Sequence, residues 1–229
     1  VIQIEDAINN LICYLKRNRK IHIKESVVKI NLGSGLNVVP GWINIDSSLK
    51  TIVSGKPRFV IKLAYILFQQ KRWFTEEQYC DTLKKNYFYH HNLESGLPFD
   101  DESADYIYAS HLIEHMFKED TINLFKESYR VLKKDGIIRL STPDLDLAVK
   151  LFNEGKTEEA LYFFFKNSKH NNRYFTIHKY LYDYKLLKKY LDESGFKTVY
   201  RCSFKEGSVP DIDRLDNRPE QSLFLEAVK

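Results

Sequence analysis

The chain has 229 residues, 43% of them hydrophobic, which is enough to bury one core with a small lid or insertion beside it. Its 35 basic and 31 acidic residues leave a net charge of +4 with both signs spread along the sequence, which argues against a dedicated nucleic-acid binder despite short basic clusters at 16–20 and 71–72. Three scattered cysteines, Cys13, Cys80 and Cys202, form no CxxC pair and have no histidine at ligand spacing, so they read as free thiols in a reducing compartment.

Ile4, Ile8, Leu11, Ile12 and Leu15 recur at helical spacing and predict an amphipathic helix within residues 1–25, packed on the flank of the domain. Glu5 and Asp6 stand where a signal peptide would be basic, and the most apolar stretch, Phe59 to Phe68, contains Lys62 and is too short to span a bilayer. Both observations lead us to expect a cytoplasmic protein.

A β-branched run at 28–32 predicts the first strand. The chain then turns through Gly33, Ser34 and Gly35 and regains an extended pattern at Trp42, Ile43 and Ile45, stopping on Asp46. In α/β folds, glycines between two such strands let backbone approach a ligand, and an acid at the second strand's tip accepts hydrogen bonds from ribose hydroxyls. A dinucleotide site would need a third glycine where Val38 stands and a helix to hold the pyrophosphate; no Walker lysine follows either. The pattern suits a nucleoside without phosphates, and S-adenosylmethionine is one. The connection from first to second strand is short for a parallel crossover, which puts a full first helix in doubt.

Residues 49–86 form a long interruption with two helical faces, one through Val60, Leu63, Ala64, Leu67 and Phe68, the other between Phe74 and Leu83; such segments build a wall or lid. A third strand is predicted from Tyr87 to Leu93 and a fourth from Ala104 to Ser110. The run Ser110 to His115 follows the fourth strand and leads into a helix. Ligands sit outside the carboxyl ends of such strands, so His111, Glu114 and His115 are the acid–base candidates, with the two histidines on one helical face. HxxxH also has metal-ligand spacing, but it lacks a third ligand, so no metal is expected. A helix over 119–134 closes at Asp135-Gly136, a strand follows at 137–141, and Asp144 caps a helix over 145–153. An aromatic insertion within 145–182 carries His170 and His178 and is expected to fold over the cleft. A helix over 184–193, capped by Asp183, and two strands at 196–204 and 222–228 complete the chain, with Arg214, Asp216, Asn217 and Arg218 as rim candidates in the polar connection between those strands.

The segments NLGSG, WINID, LPFDDESADYIYASHLIEH and FKESYRVLKKDGIIRLSTP, in this order and spacing, resemble the successive motifs of class I S-adenosylmethionine-dependent methyltransferases of the type 11 kind, from about Val28 to the C-terminus. The resemblance implies a single α/β domain with a Rossmann-like seven-stranded, mostly parallel sheet, an antiparallel last strand, and helical insertions after the second and fifth strands forming a lid. It implies a cofactor set of Asn31, Gly33, Ser34, Gly35, Asp46, Ser47, Asn92, Leu93 and Ser110, with Asn31 where relatives carry an acid for the methionine ammonium, and Asn92 and Leu93 beside the adenine. His111 is the first choice of general base and His178 the second, with His115 and Glu114 beside them. TPD after the fifth strand and HKYLYDY resemble enzymes of bacterial surface-glycan and secondary-metabolite pathways. The acceptor implied is a small molecule or glycan, a sugar hydroxyl first, an amine or phosphorylated group second; no nucleic-acid partner is expected. The rival readings are a non-catalytic S-adenosylmethionine-binding partner of another enzyme, a nicotinamide-dependent dehydrogenase, and an RNA methyltransferase.

Overall fold

Seven strands build one sheet: β1 (Lys29–Leu32), β2 (Ile43–Asp46), β3 (Tyr87–His90), β4 (Ala104–Ser110), β5 (Leu132–Pro143), β6 (Thr198–Cys202) and β7 (Ser222–Val228). The computed structural model describes residues 2–23, 25–165 and 177–229. Spatial order is β3-β2-β1-β4-β5-β7-β6; the first five strands are parallel, and β7 runs antiparallel to both neighbours. This is the Rossmann-like methyltransferase fold, with β7 inserted between β5 and the edge strand β6.

Alternation along the strands separates two faces. Ile30, Leu32, Ile107, Ile138 and Leu140 point into the main core with helices α4 (Lys118–Val131) and α7 (Tyr184–Glu193). The residues between them face the other way. Asn44, Asn31, Tyr108, Arg139, Glu226 and Tyr200 lie in register across six strands as one polar row. Covering this second face is a smaller apolar cluster of Val39, Trp42, Val209, Ile212 and Leu215, drawn from the β1–β2 connection and from the segment before β7 that contains the short helix α8 (Ile212–Leu215). The ten residues joining β1 to β2 contain no helix, as their brevity suggests.

The insertion after β2 folds as helices α2 (Arg58–Leu67) and α3 (Glu76–Lys85), with Ile61, Tyr79, Cys80 and Leu83 as its own buried cluster. A capping box between Thr75 and Gln78 starts α3. The N-terminal helix α1 (Ile2–Lys16) is tied to the sheet by Asn9, whose amide oxygen lies 2.8 Å from His90 Nε2. After β5, Asp144 caps α5 (Leu145–Asn153) by accepting from the Asp146 amide, α6 (Thr157–Phe165) follows, and Asp183 caps α7. His170, Tyr174 and Phe175 lie outside the described residues. Cys13, Cys80 and Cys202 are free, and no helix among the described residues is long and apolar enough to cross a membrane.

Three expectations need correction. The third strand stops at His90, because His91 Nε2 bonds the Gly96 carbonyl and Asn92 accepts from the Glu94 amide, curling the chain into a turn. α4 ends at Val131, and β5 begins on the next residue with Asp135 at φ 62°, so Asp135-Gly136 lies inside the strand rather than closing the helix. Asp216 is no rim residue: it is 5% exposed and forms an ion pair with Arg139.

Candidate active site

At the carboxyl ends of the central strands lies a cleft of about 370 Å³, within the range of small-molecule sites. Gly33, Asp46, Ser47, Asn92, Leu93, His111 and His115 line it. Its remaining wall includes Asn9 of α1, Leu49, Phe68 and Gln70 of the insertion, and Met116 after β4. Of these, sequence reasoning had named only Phe68, as part of a helical face of the insertion. The insertion's role as a wall was foreseeable, whereas Asn9 gave no signal beyond a polar residue in an amphipathic helix.

The glycine turn and the acid are one unit. Asp46 Oδ2 accepts from the Gly35 amide at 2.8 Å, and Oδ1 accepts from the Ser48 amide at 2.7 Å and from the Ser48 hydroxyl. A carboxylate has about four acceptor positions. Three are filled by protein, which fixes the group at the rim and leaves capacity for a ligand hydroxyl. Gly33 has φ 62°, a backbone conformation that favours glycine, and a Cβ there would have to displace the Leu112 side chain, whose Cδ1 would lie 2.7 Å away. Ser34 is buried with no hydrogen-bond partner for its hydroxyl. Gly35 acts through its amide and does not line the cleft.

Three other members of the expected set are placed differently. Asn31 belongs to the polar row: its amide donates to the Asn37 carbonyl at 2.9 Å and to Asn44 Oδ1 at 3.1 Å, so it braces β1 against β2 instead of facing the cleft. Ser110 ends β4 opposite Ser141 and does not line the cleft. Asn92 lines it, but its amide oxygen caps the turn by accepting from the Glu94 amide at 3.1 Å, while Leu93 beside it is 6% exposed.

After β4 the chain does not enter an α-helix at once. His111 takes φ 49°, Ile113–His115 forms a single 3-10 turn, and α4 starts only at Lys118. The shared helical face expected for His111 and His115 is therefore replaced by a tighter arrangement around Glu114. Its side chain is fully buried. His111 Nδ1 lies 3.1 Å from Glu114 Oε1, His115 Nε2 lies 3.9 Å from the same oxygen, and the Thr142 hydroxyl donates to Oε2 at 3.4 Å. Burial alone would raise the Glu114 pKa; the His111 hydrogen bond and the charges of both histidines outweigh it and hold the carboxyl below its ordinary 4.5. On its far edge, His111 Nε2 meets the Ser222 hydroxyl at 2.9 Å. A left-handed histidine between two such partners is the kind of strained backbone that concentrates at functional sites.

His178 reaches the same place from the segment before α7. Its ring centroid is 5.1 Å from that of His115. The main-chain amides of Lys179 and Tyr180 donate to the Glu114 carbonyl at 2.7 and 3.3 Å, anchoring that segment beside the pair.

Residues 70–140 match a family model described as a methyltransferase domain, running from the insertion after β2 into β5. No curated protein matches the sequence. Among solved structures, a candidate O-methyltransferase from Nostoc punctiforme is 11% identical with a TM-score of 0.50, covering 100% of this chain and 60% of that one. A methyltransferase from Thermotoga maritima, a candidate histamine N-methyltransferase, is 16% identical with a TM-score of 0.48, covering 100% and 91%. A SAM-dependent methyltransferase from Archaeoglobus fulgidus is 15% identical with a TM-score of 0.46, covering 98% and 94%. At these identities the structural likenesses speak to fold alone. The match over residues 70–140 is to a methyltransferase domain, and the strand order is consistent with the fold of such enzymes.

The residues on the cleft fit S-adenosylmethionine: a glycine at positive φ, a rim carboxylate with one acceptor position left, and Leu93 and Met116 as apolar walls.

Proposed function

We propose that the protein transfers a methyl group from S-adenosylmethionine to a hydroxyl of a small-molecule or glycan acceptor, a sugar hydroxyl first among them. The observation that carries this reading is His111 on the cleft wall, backed by the fully buried Glu114. An activated sulfonium methyl, which the cofactor supplies, needs little from the protein beyond alignment, whereas a hydroxyl nucleophile must also lose its proton. A histidine is suited to take that proton near neutral pH, and Glu114 holds its Nδ1 edge so that Nε2 faces the Ser222 hydroxyl. An acceptor hydroxyl would take the place of that serine.

In this reading Asp46 grips the ribose, Gly33 and Ser34 make room for the methionine end, and Leu93 packs on the adenine. The Asn92 amide oxygen, already engaged by Glu94, serves the adenine only through what capacity remains. His111 is the base, and the insertions after β2 and β5 form the lid.

Calorimetry with Asp46→Ala tests the cofactor half. Loss of a charged hydrogen bond should weaken S-adenosylmethionine binding about tenfold. Unchanged affinity would remove Asp46 from the site. For the acceptor half, a panel of sugars assayed for release of S-adenosylhomocysteine should yield turnover with hydroxyl acceptors. Turnover confined to amines would exclude the hydroxyl reading, and none with any acceptor would favour a non-catalytic binding partner.

A further inference from the structure

The sequence offers HxxxH without a third ligand; the fold instead joins its second histidine, His115, to Glu114 and to a distant histidine. Glu114, His115 and His178 each present one ligand atom, all within 4.8 Å of one another. The third comes from 63 positions downstream of His115, so no local motif reveals it.

Each histidine is also oriented as a ligand would be. His115 Nδ1 lies 3.1 Å from the Ile177 carbonyl, and His178 Nδ1 bonds the Phe163 carbonyl. A carbonyl only accepts, so both Nδ1 atoms carry the proton and, in the neutral ring, each lone pair sits on Nε2. Histidines that hold metals are fixed in just this way, through a hydrogen bond from the opposite ring nitrogen.

Glu114 completes the set. His111 and Thr142 occupy one position on each of its oxygens, leaving acceptor capacity on Oε1, the atom 3.9 Å from His115 Nε2. Two ligands each about 2.1 Å from a zinc ion can be at most about 4.2 Å apart, so that distance already admits an ion between them.

We propose that Glu114, His115 and His178 bind one divalent transition-metal ion of the zinc class, in a two-histidine, one-carboxylate site. Such a set leaves coordination positions open. Because His115 also lines the cleft, those positions adjoin the acceptor space, where the ion would hold an acceptor oxygen. That last placement rests on the methyl-transfer reading; metal binding itself does not.

The test titrates cobalt(II), as a visible spectroscopic probe, into metal-free full-length protein without cofactor or acceptor, then displaces it with zinc. One equivalent should develop ligand-field absorption that zinc removes. His178→Ala and His115→Ala should each weaken binding by at least about tenfold, while His22→Ala, at an exposed histidine paired with Asp100, should bind as the parent does. Glu114→Gln removes a fully buried charge and can unfold the chain, so His178→Gln, checked for native circular dichroism, serves as the decisive variant. Absence of a cobalt spectrum, or a spectrum retained in folded His178→Gln, would overturn the site. Calorimetry with S-adenosylmethionine on the same sample separates the two readings. Cofactor binding without cobalt binding overturns the metal site alone; cobalt binding without cofactor binding supports the metal site and counts against the cofactor assignment.

Discussion

Arg139 and Glu114 are both fully buried charges, one on β5 and one just after β4, and they are held in opposite ways. Arg139 donates to Asp216 at 3.0 and 2.6 Å, to Glu226 at 3.0 Å, and to the Ser203 and Glu206 carbonyls at 3.0 Å each. Burial works against its charge, but the Asp216 hydrogen bond and the two carboxylates outweigh that and raise its pKa above the usual arginine value. The guanidinium keeps its charge in ordinary conditions, and the Arg139–Glu226 pair belongs to the polar row that fixes the covering segment on the second face of the sheet. Glu114 is flanked instead by the imidazoles of His111 and His115, and both of those line the cleft. A charge cluster built on a guanidinium is fitted for holding structure; one built on histidines can take part in chemistry.

The largest effect should come from breaking the first cluster. Arg139→Ala leaves two buried carboxylates without their cation and should cost about 3–5 kcal/mol of stability, read by urea denaturation. A loss below 1 kcal/mol would mean that the covering segment is held by its apolar contacts and not by the ion cluster.

His111→Ala should behave the other way. Stability should fall less than with Arg139→Ala, because His115 and Thr142 still face the Glu114 carboxylate after the change. The rate with a hydroxyl acceptor should fall by about 10²-fold or more, and cofactor affinity should stay near that of the parent. Equal losses in stability and rate would erase the distinction between the two clusters.

The smallest effect is a pH dependence. His90 and His91 are buried, and that burial pushes both below the ordinary 6.5. For a base whose folded pKa is depressed, the stability is present above 6.5 and is lost as pH falls toward the folded value, because the unfolded chain takes up the proton first. Thermal melts should therefore drop between pH 7 and 5, and His91→Gln should flatten that slope. Glu114, held below 4.5, contributes above that value and loses its contribution as pH falls through its folded pKa. A second decline should appear only below about pH 4.5, absent in a folded Glu114→Gln variant.

Much of the frame was legible because its signals are local. Ala104 to Ser110, Tyr184 to Glu193 and Ser222 to Val228 occupy the bounds that periodicity and capping residues predict. Asp46 lies on the cleft because a strand's last residue is fixed by the strand itself. What escaped were relations between distant segments. Asp216 read as a rim residue, since nothing near it in sequence announces a buried arginine 77 positions away. Asn31 was assigned by correspondence with relatives, but its partner Asn44 shows only once the register is known. His111 and Glu114 could be paired from spacing alone, whereas the meeting of His178 with His115 depends on how the chain returns from α6.

That return has a mechanical consequence. Lys179 and Tyr180 clasp the main chain of Glu114, and Ile177 holds His115, so the strip at 177–180 and the acid–base residues are fastened to one another. A displacement of this strip would therefore carry the main chain of Glu114 and the ring of His115 with it.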